Sequence, residues 1–161
     1  MDEVQIRWAE SADLAVLAKV FRRSSLSVEG DRATLLAHPE VLQFDGRSVA
    51  EGRTRVAVDG ERVVGFSTTS GTDDAVELED LFVEPDVQRR GVGRALMDDV
   101  VQRLRAEGVP FLAVTANGAA VPFYRSVGFV DDGVAPTAFG SAPRMRLDLG
   151  SSSGSPDRDQ A

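Results

Sequence analysis

The segment Gln88-Arg89-Arg90-Gly91-Val92-Gly93-Arg94 carries the residue types that hold a diphosphate. It follows an apolar run ending in Leu81-Phe82-Val83-Glu84-Pro85, and it opens a helical pattern. Backbone N–H groups at a helix N-terminus have no intrahelical acceptor and sit at the positive end of the macrodipole, so they attract phosphate oxygens. Gly91 and Gly93 let a ligand approach the backbone where a Cβ would collide, while Arg89, Arg90 and Arg94 supply charge-assisted donors. Two familiar phosphate loops do not fit. A dinucleotide fingerprint needs a small residue three positions after Gly93, where Leu96 stands, and no Gly-Lys-Ser/Thr of a Walker A loop is present.

The remaining pattern is Gln-x-x-Gly-x-Gly directly after a strand ending in Leu-x-Val. It resembles the coenzyme A pyrophosphate loop of the GNAT superfamily, the acetyl-CoA-dependent N-acetyltransferases. A second segment, Asn117-Gly118-Ala119-Ala120-Val121-Pro122-Phe123-Tyr124-Arg125-Ser126-Val127-Gly128-Phe129, is similar to that family's Asn-x-x-Ala-x-x-Phe-Tyr-x-x-x-Gly-Phe run. The two follow in the family's order. The resemblance implies an α+β protein of the GNAT (acyl-CoA N-acyltransferase) fold, a mixed central sheet with helices on both faces. It implies acetyl-CoA as co-substrate, held by Gln88, Arg89, Arg90, Gly91, Val92, Gly93 and Arg94, with Asn117 as a further contact. It also implies that main-chain groups of Leu81, Phe82 and Val83 pair with the pantetheine arm, one N–H polarising the thioester carbonyl.

Acetyl transfer to an amine makes three demands. The ammonium must lose a proton before it can attack, the tetrahedral oxyanion needs donors, and the thiolate leaves more easily if it is protonated. In the run Ala75–Val83, Glu77 and Glu79 point to one face and Leu78, Asp80 and Phe82 to the other. Carboxylates in an apolar strand are costly to bury unpaired, so one face should meet water or a cleft, unless the acids pair with arginines. The resemblance places Glu77 where histone acetyltransferases carry a catalytic glutamate, and Glu79 is the second candidate base. Tyr124, the only tyrosine, matches the family's general-acid position; its phenol stays protonated at neutral pH. The same ring could simply pack in the core, and Asn117 could serve as a helix N-cap. One departure stands out. Ribosomal-protein N-terminal acetyltransferases carry a base five residues before the Asn, and this chain has Leu112 there.

Around these groups the chain reads as one domain, residues 1–149, followed by a disordered polar tail at 150–161. Val4–Trp8 alternates as a strand, and Ser11 or Asp13 caps a helix with Leu14, Leu17, Ala18 and Phe21 on one stripe. Residues 22–52 suggest a short helix and a loop. Asp59-Gly60 turns a hairpin between residues 54–58 and 62–67. Residues 91–106 form a helix with Val92, Leu96, Val100 and Leu104 inward, ended by Gly108 and Pro110. Phe111–Thr115 is a strand, and residues 119–126 a helix stopped by Gly128. Two closing strands near 129–130 and 145–149 flank a loop holding Pro136 and Pro143. Trp8 and the phenylalanines read as core, and Arg22-Arg23 as a solvated helix end.

Composition narrows the function. Zero cysteines exclude a disulfide framework and a thiolate nucleophile, and the sole histidine, His38, has no partners for a metal site. The net charge of −8 argues against a nucleic-acid binder. No apolar run spans a bilayer, and a cytoplasmic address is expected. The expectation is therefore direct attack by a primary amine, of a small molecule or of a protein, on acetyl-CoA in a ternary complex. Another acyl-CoA donor and a non-catalytic CoA-binding regulator are the alternatives. The acceptor is open, as is the choice between monomer and homodimer.

Overall fold

Among the described residues, alternating and β-branched runs build seven strands: β1 (Gln5–Trp8), β2 (Thr54–Asp59), β3 (Arg62–Thr72), β4 (Ala75–Val83), β5 (Phe111–Thr115), β6 (Val130–Thr137) and β7 (Gly140–Asp148). The helices are α1 (Leu14–Leu26), α2 (Glu29–Ala37), α3 (Arg47–Ala50), α4 (Val92–Ala106) and α5 (Val121–Ser126). The computed structural model describes residues 3–72, 74–137 and 140–150. Strand order is β1-β2-β3-β4-β5-β7-β6. β4 and β5 are parallel, whereas the β1–β2, β2–β3, β5–β7 and β6–β7 ladders are antiparallel, so the sheet is mixed as expected. Of the expected tail, residues 151–161 lie outside the described residues. Among the described residues no helix is long and apolar enough to cross a membrane.

The chain divides into two compact units, one of Met1–Thr68 with Asp80–Asp99 and one of Thr69–Glu79 with Val100–Ala161. In the first, Leu17 and Val20 of α1 pack on Val56, Val63 and Phe66, with Phe21, Phe44 and Phe82 at the edge. Val92 and Leu96 of α4 pack with Val87 on Ala57 and Val64, which point the other way along β2 and β3. The strands of this unit are thus covered on both faces. Each fully buried Leu or Val contributes roughly 1.5–3 kcal/mol over an exposed one.

Several local expectations need correction here. Asp13, one of the two residues expected there, holds the N-cap position of α1, but its side chain makes no cap hydrogen bond to the helix. A 3₁₀ turn, Ser11–Asp13, comes first, and the Asp13 carboxylate accepts from the Glu10 N–H at 2.7 Å and from Arg7 at 2.9 and 3.0 Å. A bidentate guanidinium outcompetes a helix amide for that carboxylate. In the hairpin, Asp59 pairs with Arg62, so Gly60 and Glu61 form the turn, and Gly60 takes the left-handed place with φ 66°. Residues 22–52 hold more structure than one helix: α2, a 3₁₀ turn at Pro39–Leu42, and α3. Trp8 is 45% exposed, with the Arg55 guanidinium 4.6 Å over its ring, rather than in the core. Of the other aromatics, Phe66 and Phe129 are buried as expected.

In the second unit β5 is central. All five of its residues pair with β7, from Phe111↔Asp148 to Thr115↔Arg144, but its ladder with β4 runs only from Val76↔Leu112 to Leu78↔Val114. Leu112, Val114 and Met145 are buried there. Gly128, at φ 107°, ends α5 as expected. The closing strands are much longer than the prolines suggest. Pro136 and Pro143 lie within β6 and β7, opposite Ser141 and Val134. β6 is an edge strand, where a missing N–H is tolerated, and Pro143 stands one residue past the β5 ladder, its carbonyl accepting from the Ala116 N–H at 2.9 Å.

Candidate active site

The expected diphosphate loop sits wholly in the first unit. β4 ends at Val83, a 3₁₀ turn covers Pro85–Val87, and α4 starts at Val92. Between them Arg89 takes φ 69° and Gly91 φ 88°; Arg89 is the only non-glycine at positive φ among the described residues. Left-handed residues at the mouth of a helix bend successive N–H groups toward a concavity suited to an anion. The helical ladder begins with Ala95 N–H donating to Gly91 O at 2.9 Å, so the N–H groups of Val92, Gly93 and Arg94 precede it. Arg89, Arg90, Gly91 and Arg94 are exposed, and a Cβ on Gly91 would meet nothing within 4 Å. Its glycine requirement therefore comes from the backbone angle rather than from crowding by the protein. Gln88, also exposed, donates from Nε2 to Val83 O at 3.3 Å and closes the turn.

Leu81, Phe82 and Val83 lie on β4 beyond Leu78, the last β4 residue in the ladder with β5.

In the second unit, Asn117 is the N-cap of a 3₁₀ turn, its Oδ1 accepting from Ala120 N–H at 2.9 Å. Tyr124 is 6% exposed, its ring 5.2 Å from that of Phe129 and 5.4 Å from that of Phe123. The ring is thus held by packing. Along β4, Val76 and Leu78 are buried, Glu77 half-buried and Glu79 exposed, the alternation the sequence indicates. Glu77 is engaged: Arg144 of β7 donates to Glu77 Oε2 and to Thr115 Oγ1 at 3.0 Å. The arginine pairing that the sequence leaves open for these acids is thus present at Glu77. His38 stands 3.5 Å from Glu40 at an exposed site.

Two features were not visible in the sequence. Arg23, read as a solvated helix end, instead grips Glu84 in a bidentate pair at 2.9 and 2.5 Å, and Glu84 is 2% exposed. That carboxylate pushes the Arg23 guanidinium above its ordinary value. An acid buried beside an apolar strand end was the available signal, since it demands a cation. The other is Gly65, where a Cβ would stand 2.8 Å from Phe82 O and 3.2 Å from both Leu96 and Val92 side chains.

A mixed sheet whose fourth strand leads through a left-handed turn into a helix mouth defines the acyl-CoA N-acyltransferase fold. The crystal structure of the PaiA N-acetyltransferase from Thermoplasma acidophilum, in complex with coenzyme A, superimposes with a TM-score of 0.69 over 91% of this chain and 99% of that one, at 19% identity. The family model for the acetyltransferase (GNAT) domain matches residues 40–141, and the chain belongs to that family. It is 34% identical over 131 residues to a chloroplastic serotonin N-acetyltransferase of Oryza sativa, covering 78% of this chain and 60% of that protein. It is 36% identical over 72 residues to the ribosomal protein bS18-alanine N-acetyltransferase of Salmonella typhimurium, covering 43% of this chain and 49% of that protein. The chain spans about half the length of the curated relatives it matches.

Proposed function

We propose that the chain transfers the acetyl group of acetyl-CoA to a primary amine by direct attack in a ternary complex. The observation that carries this reading is the Arg89–Gly91 turn with its two left-handed residues opening α4. Main-chain N–H groups there and Arg89, Arg90 and Arg94 grip the diphosphate, while Leu81–Val83 present the thioester. Family membership and the fold shared with a CoA-bound enzyme support the cofactor.

Glu79 receives the amine's proton through solvent. It is exposed on β4, and Glu77 on the same face pairs with Arg144 and keeps that guanidinium in place. Tyr124 protonates the departing thiolate, its ring immobilised between Phe123 and Phe129 so that little orientation is lost at the moment of reaction. Asn117 holds the turn before α5 and offers the cofactor its remaining amide valence.

The acceptor is a monoamine or an N-terminal peptide amine, the classes named for the rice and Salmonella relatives. The full length of Leu112, 0% exposed within β5, leaves no base at the position used by ribosomal-protein enzymes, which favours the small amine. Incubating the protein with acetyl-CoA and, in turn, serotonin, spermidine and an alanyl peptide, and reading thiol release and mass shift, tests this. Saturable CoA binding without turnover on any amine would replace the enzyme reading with a CoA-binding regulator, an outcome the Glu77–Arg144 pair already makes chemically coherent.

A further inference from the structure

Two cross-links tie the last turns of α1 to the end of β4, and both lie within the first unit. The rings of Phe21 and Phe82 meet edge to face with centroids 5.0 Å apart. Two residues further along each segment, Arg23 donates Nε to Glu84 Oε1 at 2.9 Å and a terminal nitrogen to Oε2 at 2.5 Å. The Glu84 side chain is 3% exposed and that of Arg23 52%, so the carboxylate is the interior member and the guanidinium its cover. The strand end is pinned from β3 as well, by Glu84 N–H donating to Val64 O at 2.8 Å. Across Pro85, Asp86 is held by Arg62 of β3 at 2.9 and 3.1 Å. Two acids and two guanidiniums thus balance immediately before a loop that binds an anion.

Ordinary packing does not account for this arrangement. An apolar pair would hold α1 to the strand as well as an ion pair does, because desolvating a carboxylate costs several kcal/mol that its partner only offsets. A bidentate pair adds fixed orientation, which apolar contact does not. It also cancels a charge that would otherwise face a diphosphate a few residues away.

We infer that Arg23 and Glu84 are a positioning pair for acetyl transfer: through Glu84 they set the place of Leu81–Val83, and they tie that place to helix α1. The role rests on the acetyltransferase reading above. Neither side chain touches the reacting atoms. Because the diphosphate is gripped separately by Gln88–Arg94, loosening the pair misplaces the acyl end while leaving cofactor affinity intact.

The test uses the whole chain and the variants Arg23→Gln, Arg23→Lys and Glu84→Gln. Thermal melting, calorimetric titration with CoA, and steady-state kinetics with acetyl-CoA and whichever of serotonin, spermidine or alanyl peptide the wild type accepts are measured. Arg23→Gln should lower kcat about tenfold with the CoA Kd within about twofold, as expected for a displaced reactive group. Arg23→Lys should recover part of that loss, and Arg23→Gln with Glu84→Gln should be no worse than Arg23→Gln alone, since a coupled pair is not additive. Arg23→Gln alone leaves the Glu84 carboxylate buried without its cation, so Arg23→Lys and the double variant, which keep the charge balanced, carry the test if the single variants lose their fold. A lower Tm with unchanged kcat would reduce the pair to a structural one, and an equal loss of CoA affinity and rate would assign it to cofactor binding; either overturns the inference alone. A wild type that binds no CoA would instead overturn the acetyltransferase reading, and the pair's role with it.

Discussion

The two units contribute to the proposed chemistry in different currencies. In the first, the groups that matter are main-chain: the N–H groups after Gly91 and the strand end at Leu81–Val83, placed by backbone angles and by the arginine pairs of Glu84 and Asp86. In the second they are side chains: Glu79, Tyr124 and Asn117, each set by its element, with Glu77 occupied by Arg144. A main-chain site tolerates most substitutions except those that change φ, whereas a side-chain site is lost with one atom. The first arrangement is suited to a cofactor that never changes. The second leaves room for acceptor chemistry to vary.

That contrast is broken most directly at the proton-handling groups. Glu79→Gln should lower kcat/KM about 100-fold at neutral pH with CoA affinity unchanged, the usual scale for a lost general base. Steady-state kinetics beside calorimetry would show it, and full activity would move the base elsewhere. Tyr124→Phe keeps the ring packed against Phe129 and removes only the hydroxyl, so kcat should fall by about 10- to 100-fold with the melting temperature preserved. An unchanged rate would remove Tyr124 from the mechanism.

The cofactor side should respond oppositely. Gly91→Val forces a β-branched residue to φ 88°, a strain of about 1–3 kcal/mol, and should weaken CoA binding about tenfold without any clash inside the protein itself. Equal loss from Gly91→Ala and Gly91→Val would place the effect in the angle; a loss confined to valine would place it in ligand collision.

The smallest effect concerns acid stability of the first unit. Hydrogen bonds from Arg7 hold the Asp13 carboxyl below its usual range, against the opposing effect of burial. A carboxyl depressed in the folded state contributes stability that is complete above its unfolded value, about 3.9. It is lost as pH falls through the lower folded value. Arg7→Met should therefore lower the melting temperature at neutral pH, and the gap from wild type should close below about pH 4. A gap independent of pH would mean that Arg7 acts by packing alone.

The turn at the mouth of α4 was legible because its signals are local. Glycine and arginine at the mouth of a helix announce their own geometry, and β5 and the inward stripe of α4 follow from apolar spacing. Pro136 and Pro143 suggested a loop between the closing strands, yet an edge strand with a bulge between Asp131 and Val134 runs through this segment. Partner choice was beyond reach: Arg23 and Glu84 are 61 positions apart, and Glu77 and Arg144 are 67. Nothing in the local spacing announces that a carboxylate will be met by an arginine so far along the chain.

Gly65 gives the architecture a hidden fixed point. With the Phe82 carbonyl oxygen 2.8 Å from where its first side-chain carbon would lie, even a methyl there becomes a wedge driven behind the very strand that presents the thioester. Alanine scanning of β3 would thus find an inactivating position whose entire contribution is to be empty.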